Sequence, residues 1–424
     1  MSITHLRDRI TRLQRQTGRD SDASRSDAVP SAAEPGTLSA CSQSLRQQLR
    51  GLESTRARQG QARSGLTDQE LAGRLQGECV APGLVLIERA LAFGTSQGRE
   101  TLDDRALHAF VFFAPGTLPR PGEVVFLDTE TTGLAGGTGT VAFLVGLATP
   151  TATGFHISQY LLTSFAGECA LLEQVHGRLR QALSVVTYNG KSFDSPLLST
   201  RSQLAGLVDP LSKLQHVDLL HLARRAYGGR WPDCRLLTAE DRLLGFIRCD
   251  DLPSRAVPEA WFRWMRYRNA EQLPQIVRHN RFDLMSLVAL LHPLQRSYSD
   301  PLAHEANVVP IMRHVTRAQQ AFHYLYARRR ALDDVGLLEL ARLARGRGEW
   351  GLALTIWQDL SLREYTQATE ELAKYFEHQA RDYRYALTLT QQLRNRSPDK
   401  AAYRHREIRL STKLAIRRQT RGST

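Results

Sequence analysis

The sequence predicts an α/β domain, a mixed sheet with flanking helices, joined to an all-α domain at the C-terminal end. Three features of the 424 residues carry this. Short apolar runs recur at close spacing from residue 121; amphipathic stretches of helical period separate the later runs; and beyond residue 300 helical periods continue without a convincing strand. Close-set strands suggest an antiparallel meander, and strands alternating with helices suggest crossover units.

Taken in order, residues 1–65 are rich in Ser, Arg, Gln, Ala and Gly and read as a disordered basic region. Within it Ile3, Leu6, Ile10 and Leu13 form the apolar stripe of one short helix. Residues 66–120 read as an extension packed on the main domain, with helical spacing over 66–75 and a strand-like run at 84–88. The main domain, 121–298, offers strands at 124–128, 141–148 and 155–162. A helix follows at 169–183 with Leu171, Leu172, Val175 and Leu179 on one face. Then come a strand at 185–188, a helix at 193–204, a short strand at 216–219 and a helix at 273–291. This order of three strands, helix, strand, helix, strand and helices is that of the ribonuclease H-like fold.

Residues 299–424 carry a loose internal repeat. Glu339-Leu340-Ala341 recurs as Glu371-Leu372-Ala373, and Glu349-Trp350 with Ala353 recurs as Asp382-Tyr383 with Ala386. Periods of 32 and 33 match the roughly 34-residue helix–turn–helix unit of tetratricopeptide arrays. A basic last helix is expected over 401–418.

Composition narrows the class. At 42% hydrophobic and 23% charged residues the chain is an ordinary globular one. It has no apolar stretch near the roughly 18–20 residues that span a bilayer and no signal-peptide core. Five cysteines without a C-x-x-C pair or zinc spacing point to a reducing, cytoplasmic setting. The net charge of +13 is concentrated at the ends, +5 over 1–65 and +7 over 396–424. Such ends can hold a polyanion through its phosphates.

The chemistry lies in three short segments. In Val124-Val125-Phe126-Leu127-Asp128-Thr129-Glu130-Thr131-Thr132-Gly133-Leu134 an apolar run ends in Asp-x-Glu. Alternation along a strand puts Asp128 and Glu130 on one face. Like charges that close are costly without a cation, and hard oxygen donors suit Mg²⁺ or Mn²⁺. Tyr188-Asn189-Gly190-Lys191-Ser192-Phe193-Asp194 forms strand, polar turn and helix start, bringing Asp194 towards the first pair. Its Gly-Lys-Ser is not a P-loop ending, since position 185 is Val where that motif needs Gly. In His279-Asn280-Arg281-Phe282-Asp283 His279 and Asp283 stand one helical turn apart. Four carboxylates and one His match two-metal phosphodiester hydrolysis, with His279 taking a proton from water.

These three segments resemble the motifs of the DEDD (DnaQ-like) 3′–5′ exonuclease superfamily. The longer stretches D-T-E-T-T-G-L-A-G-G-T-G-T-V-A-F-L-V-G-L and V-T-Y-N-G-K-S-F-D-S-P-L-L, with the tetratricopeptide-like C-terminal region, resemble YprB-type ribonuclease H-like proteins. The resemblance implies two divalent cations, Mg²⁺ or Mn²⁺, held by Asp128, Glu130, Asp194 and Asp283, with His279 as general base. The leading reading is a nuclease that trims single-stranded DNA or RNA from the 3′ end, a substrate the resemblance itself does not supply; Thr131 and Leu134 match superfamily positions that contact the terminal nucleotide. Asn189 is expected to hold the second motif's turn and Lys191 to meet a phosphate; the helical repeats are expected to take a protein partner. In the superfamily's histidine branch the His usually precedes the last Asp by five positions, whereas here the interval is four. The competing reading is an idle ribonuclease H-like adaptor that binds nucleic acid or protein through its repeats. The complete carboxylate set favours the enzyme, because an uncompensated cluster of acids is a liability.

Overall fold

The computed structural model describes residues 66–116, 118–133, 139–315 and 318–421. The expected N-terminal region with its short helix, and Leu134, lie outside the described residues.

The first helix, α1 (Asp68–Leu75), starts at a capping box in which Thr67 and Glu70 satisfy each other's backbone amides. It leads into β1 (Glu78–Ala81) and β2 (Leu84–Ala92), then a hairpin of β3 (Thr95–Gln97) and β4 (Glu100–Leu102), then α2 (Arg105–Phe113). The meander follows as β5 (Val124–Thr131), β6 (Ala142–Pro150) and β7 (Gly154–Leu162). After it come α3 (Glu168–Leu179), β8 (Ser184–Thr187), α4 (Asp194–Leu204), β9 (Gln215–Asp218) and α5 (Leu219–Tyr227).

Seven strands form one sheet in the order β1-β2-β7-β6-β5-β8-β9. β5 is the point where its character changes, antiparallel to β6 and parallel to β8. The sheet runs across residue 121, because β2 pairs with β7 along its whole length, from Leu84↔Leu162 to Ala92↔Gly154. Both faces are buried, as the near-continuous apolar runs require. Val124 and Phe126 of β5 enter one core, while Val125 and Leu127 enter the other.

The second half of the domain covers this sheet. A short helix α6 (Leu236–Ala239) passes into a π-helical turn at Glu240–Leu244, and a loop leads to α7 (Val257–Tyr267). Trp261 of α7 stacks on Phe143 at 4.8 Å. The Trp261 and Trp264 indoles donate to Leu162 O (2.8 Å) and Thr163 O (3.0 Å), fastening α7 to the end of β7. The long helix α8 (Leu273–Ser299) packs on β5, β6 and β7. It extends past the expected residue 291 through Pro293, whose ring removes one interior donor.

Beyond it the described chain is all-helical: α9 (Val308–Val315), α10 (Ala318–Ala327), α11 (Asp334–Gly346), α12 (Trp350–Leu362), α13 (Thr366–His378), α14 (Tyr383–Arg396) and α15 (Ala401–Arg421). Each packs against its successor. The repeated triplets fall on α11 and α13, with Leu340, Ala341, Leu372 and Ala373 all buried. Two buried glutamates tie the array together. Glu339 accepts from Arg313 of α9 and from Arg342, and Glu377 accepts from Arg409 and Lys413 of α15. Among the described residues no helix is long and apolar enough to cross a membrane.

Candidate active site

The register of the sheet builds the first part of the site. Asp128 on β5 stands opposite Gly146 on β6, and Gly146 opposite Gln159 on β7. Position 146 must be glycine for this row to meet α8, since a Cβ there would lie 2.1 Å from Asn280 Oδ1. Through that gap Asn280 Nδ2 donates to Asp128 Oδ2 at 2.7 Å. Gln159 fixes which way the amide points, because its Nε2 donates to Asn280 Oδ1 at 2.8 Å and to Val277 O at 2.8 Å. Asp128 is thereby held by a buried chain of amides rather than by packing alone.

Asp194 arrives at the head of α4, where the Thr129 hydroxyl donates to its Oδ1. The turn before it is tight. Asn189 has φ 70°, and a Cβ at Gly190 would meet Thr187 at 2.5 Å. Asp218, at the end of β9, accepts from the amides of Asn189 (2.8 Å) and Lys191 (3.1 Å) and also caps α5 through Leu220 (3.1 Å). One buried carboxylate thus sets both the turn and the helix beside it. The Lys191 side chain is exposed. Thr131 closes β5, with its hydroxyl donating to Gly133 O at 3.0 Å.

His279 and Asp283 enter from α8. His279 Nε2 lies 3.6 Å from Asp283 Oδ2 and 3.8 Å from Glu130 Oε1, and ligand atoms of the three residues lie within 4.8 Å of one another. The other ring nitrogen, Nδ1, donates to Asp251 Oδ2 at 2.7 Å. That partner assigns the proton to Nδ1 and leaves the Nε2 lone pair facing the carboxylates. Arg248 completes this side. It is buried and pairs with Asp283, with Glu240 at 2.5 Å and with Asp251 at 3.2 Å. Glu240 belongs to the π-helical turn and also accepts from Ser286 of α8 at 2.5 Å; such turns are frequent at functional sites.

The electrostatics follow from this crowding. Burial first, then the neighbouring Asp283, Glu130 and Asp194, pushes the Asp128 carboxyl well above the ordinary range. Burial, Asp283 and Asp194 do the same to Glu130. Asp194 is pushed up to about 6, mainly by burial and against the pull of the Thr129 hydrogen bond. The Glu130 and Asp283 carboxylates, within 4.8 Å of each other, repel by roughly 3.5 kcal/mol or more at an effective dielectric of about 20. Arg248 offsets this on the Asp283 side. Among the described residues no cation contacts Asp128 or Asp194 in a salt bridge. The donor set is hard oxygen plus one imidazole, which fits a divalent cation of the Mg²⁺ or Mn²⁺ class.

The structure therefore brings Asp128, Glu130, Asp194, His279 and Asp283 together, with Thr131 at the edge and Asn189 and Lys191 on the flanking turn. Sequence reasoning missed Thr129, Gln159, Arg248, Asp251 and Asn280 as parts of the site. Asn280 and Thr129 lie inside the motifs, but their spacing suggests no role. Gln159, Arg248 and Asp251 carry no local signal, since they reach the site by register and by a loop.

Comparison with known proteins agrees with the fold of this domain. A family model of the RNase_H superfamily matches residues 125–295, the span from β5 to α8 that contributes the five residues. An uncharacterized protein, YprB of Bacillus subtilis (strain 168), is 33% identical over 283 residues, covering 63% of this chain and 68% of its own. Among solved structures, the family B DNA polymerase of the hyperthermophilic archaeon Pyrobaculum calidifontis aligns over 66% of this chain with a TM-score of 0.35 and 15% identity. This chain spans only 36% of that polymerase, a likeness too distant to carry any activity across. The identity and coverage shared with the Bacillus protein, together with the superfamily domain at 125–295, place the chain in the YprB family of ribonuclease H-like proteins.

Proposed function

We propose that the chain is a metal-dependent 3′–5′ exonuclease that hydrolyses phosphodiester bonds of single-stranded nucleic acid. The observation that carries the reading is the clustering of four buried or half-buried carboxylates, two of which, Glu130 and Asp283, face the free nitrogen of His279. Asp128, Glu130, Asp194 and Asp283 would hold two divalent cations, Mg²⁺ or Mn²⁺. Bound there, the cations supply positive charge for the attacking and leaving oxygens of an in-line displacement.

The chain's own residues do the rest. His279 accepts the proton of the attacking water at Nε2, and Asp251 steadies the resulting imidazolium through Nδ1–H. The four-residue interval to Asp283 does not turn His279 away, because Nε2 lies 3.8 Å from Glu130 and 3.6 Å from Asp283. Asn280 and Gln159 fix Asp128, Thr129 fixes Asp194, and Arg248 fixes Asp283. Preorganised ligands of this kind need no rearrangement when the reaction starts. Thr131 and Leu134 meet the terminal nucleotide, Asn189 holds its turn, and Lys191 meets a phosphate. The 3′–5′ polarity rests on the resemblance of the three motifs, as does a tetratricopeptide role for α11–α14 in holding a protein partner.

The test is degradation of 5′-labelled and 3′-labelled single-stranded DNA and RNA in Mg²⁺, Mn²⁺ and EDTA. A ladder from the 5′-labelled strand is expected, abolished by EDTA and reduced about 10²- to 10³-fold in Asp128→Ala, the scale of losing one main electrostatic stabiliser. No cleavage with either metal, alongside intact nucleic-acid binding, overturns the enzyme in favour of the adaptor.

A further inference from the structure

On the flank of α8 turned away from His279 and Asp283 lies a cavity of about 270 Å³. Arg74, Arg89, Arg278 and Arg281 line it, with Gln76 and Gln275 beside them and no carboxylate. Positions two apart on a helix do not face each other, so Arg281 points away from the catalytic pair on either side of it in sequence.

None of the four arginines forms a salt bridge among the described residues. Arg89 donates to the carbonyls of Leu75, Gln76 and Glu88 and to the Gln76 side chain, capping α1. Arg278 donates to the carbonyl of Asp250, while its buried Nε has no acceptor. Arg281 is half-buried, its guanidinium has no hydrogen-bond or ion-pair partner among the described residues, and Arg89 and Arg278 repel it. Guanidinium groups gathered without a carboxylate are costly unless an anion completes them, and planar forks of N–H suit phosphate.

We propose that this cavity is a phosphate site for the nucleic-acid strand, holding a backbone phosphate a few nucleotides from the scissile bond. The inference deepens the exonuclease reading and rests on it for the identity of the strand. Arg281 lies two residues from both His279 and Asp283 on α8, so one strand can reach the cavity and the carboxylates. Two exposed or half-exposed arginines at the mouth, Arg74 and Arg89, suit a continuous polyanion better than an enclosed mononucleotide. The same helix carries both sites, and Arg278 also touches the loop that bears Asp251. A strand seated in the cavity therefore bears on the element that positions His279.

The experiment uses the full chain in EDTA, so that binding is read without cleavage. Affinity for a fluorescein-labelled single-stranded oligonucleotide is measured against salt for wild type, Arg281→Gln and Arg281→Lys, with melting temperature recorded for each. Arg281→Gln is expected to weaken binding several-fold and to lower the salt slope by about 0.7, one phosphate contact on a single strand. Its melting temperature should hold or rise, since a repelled guanidinium has been removed; Arg281→Lys should recover part of the slope. An unchanged slope overturns the proposal. If the slope is unchanged, melting repeated in added inorganic phosphate shows whether the site serves free phosphate instead, as wild-type stabilisation that Arg281→Gln lacks. Failure of the exonuclease reading appears separately, as intact, slope-sensitive binding by a chain that never cleaves.

Discussion

Asp251 touches nothing that reacts in the proposed mechanism, yet it decides how His279 stands. Its carboxylate holds Nδ1–H at 2.7 Å and also takes Arg248 at 3.2 Å. Asp251→Asn keeps the shape but lets the amide present its N–H, and so the wrong ring nitrogen becomes free. We expect kcat to fall about 10²- to 10⁴-fold with KM nearly unchanged, a range set by general-base contributions, and Asp251→Glu to recover part of it. Steady-state rates on a labelled oligonucleotide check this; an undiminished kcat would mean that Asp251 serves only as a partner of Arg248. At this scale the carboxylates were legible because each stands in a short pattern of strand, turn or helix. Asp251, Arg248 and Gln159 were not, because what makes them functional is a loop path or a cross-strand register that no local spacing records.

Elements were more legible than their ends. Alternation and helical period locate β5, β6, β7, α3 and α4 within a few residues of where they lie. The pairing of β2 with β7 in one sheet is not legible in the sequence, since strand partners distant in sequence leave no periodic trace. The extension of α8 through Pro293 is tertiary: Leu294 and Tyr298 are buried in the core, and that packing outweighs the lost hydrogen bond. In the helical array, burial works against the charge on Glu377, but Arg409 and Lys413 hold its carboxyl down at about 2. A folded pKa below the unfolded value of about 4.3 gives stability that is complete above that value and disappears as pH falls towards about 2. The melting-temperature gap between wild type and Glu377→Gln should therefore be full near neutrality and close on acidification through that window. A gap independent of pH, followed by circular dichroism, would show that the cluster acts by packing and not by charge.

Across the whole molecule two charge distributions oppose each other. The chain carries +13, most of its surplus at the ends, while the centre of the sheet gathers buried acids. On the proposed reading, the arginine-lined cavity attracts a polyanion, and the acidic centre needs cations before it can accept one. The sign of the acid site's own titration is fixed by Asp194, raised to about 6, and by Asp128 and Glu130, raised well above the ordinary range by burial and their neighbours. Carboxyls raised in the fold favour it below the unfolded pKa of about 4, and that support is lost as pH rises through about 6. A bound divalent cation reverses this by displacing the protons, which couples metal binding to proton release.

That coupling gives the most direct measurement of the central claim, that the converging carboxylates form a cation site. Mn²⁺ is titrated calorimetrically into EDTA-stripped protein at about pH 7 and again at about pH 5, in buffers of different ionisation enthalpy, where metal affinity should follow the protonation of its ligands. The account predicts saturable binding with release of protons, weaker at the lower pH, and lost in Asp128→Asn and Asp194→Asn. Absence of saturable binding at millimolar Mn²⁺, or binding that both variants retain unchanged, would contradict it.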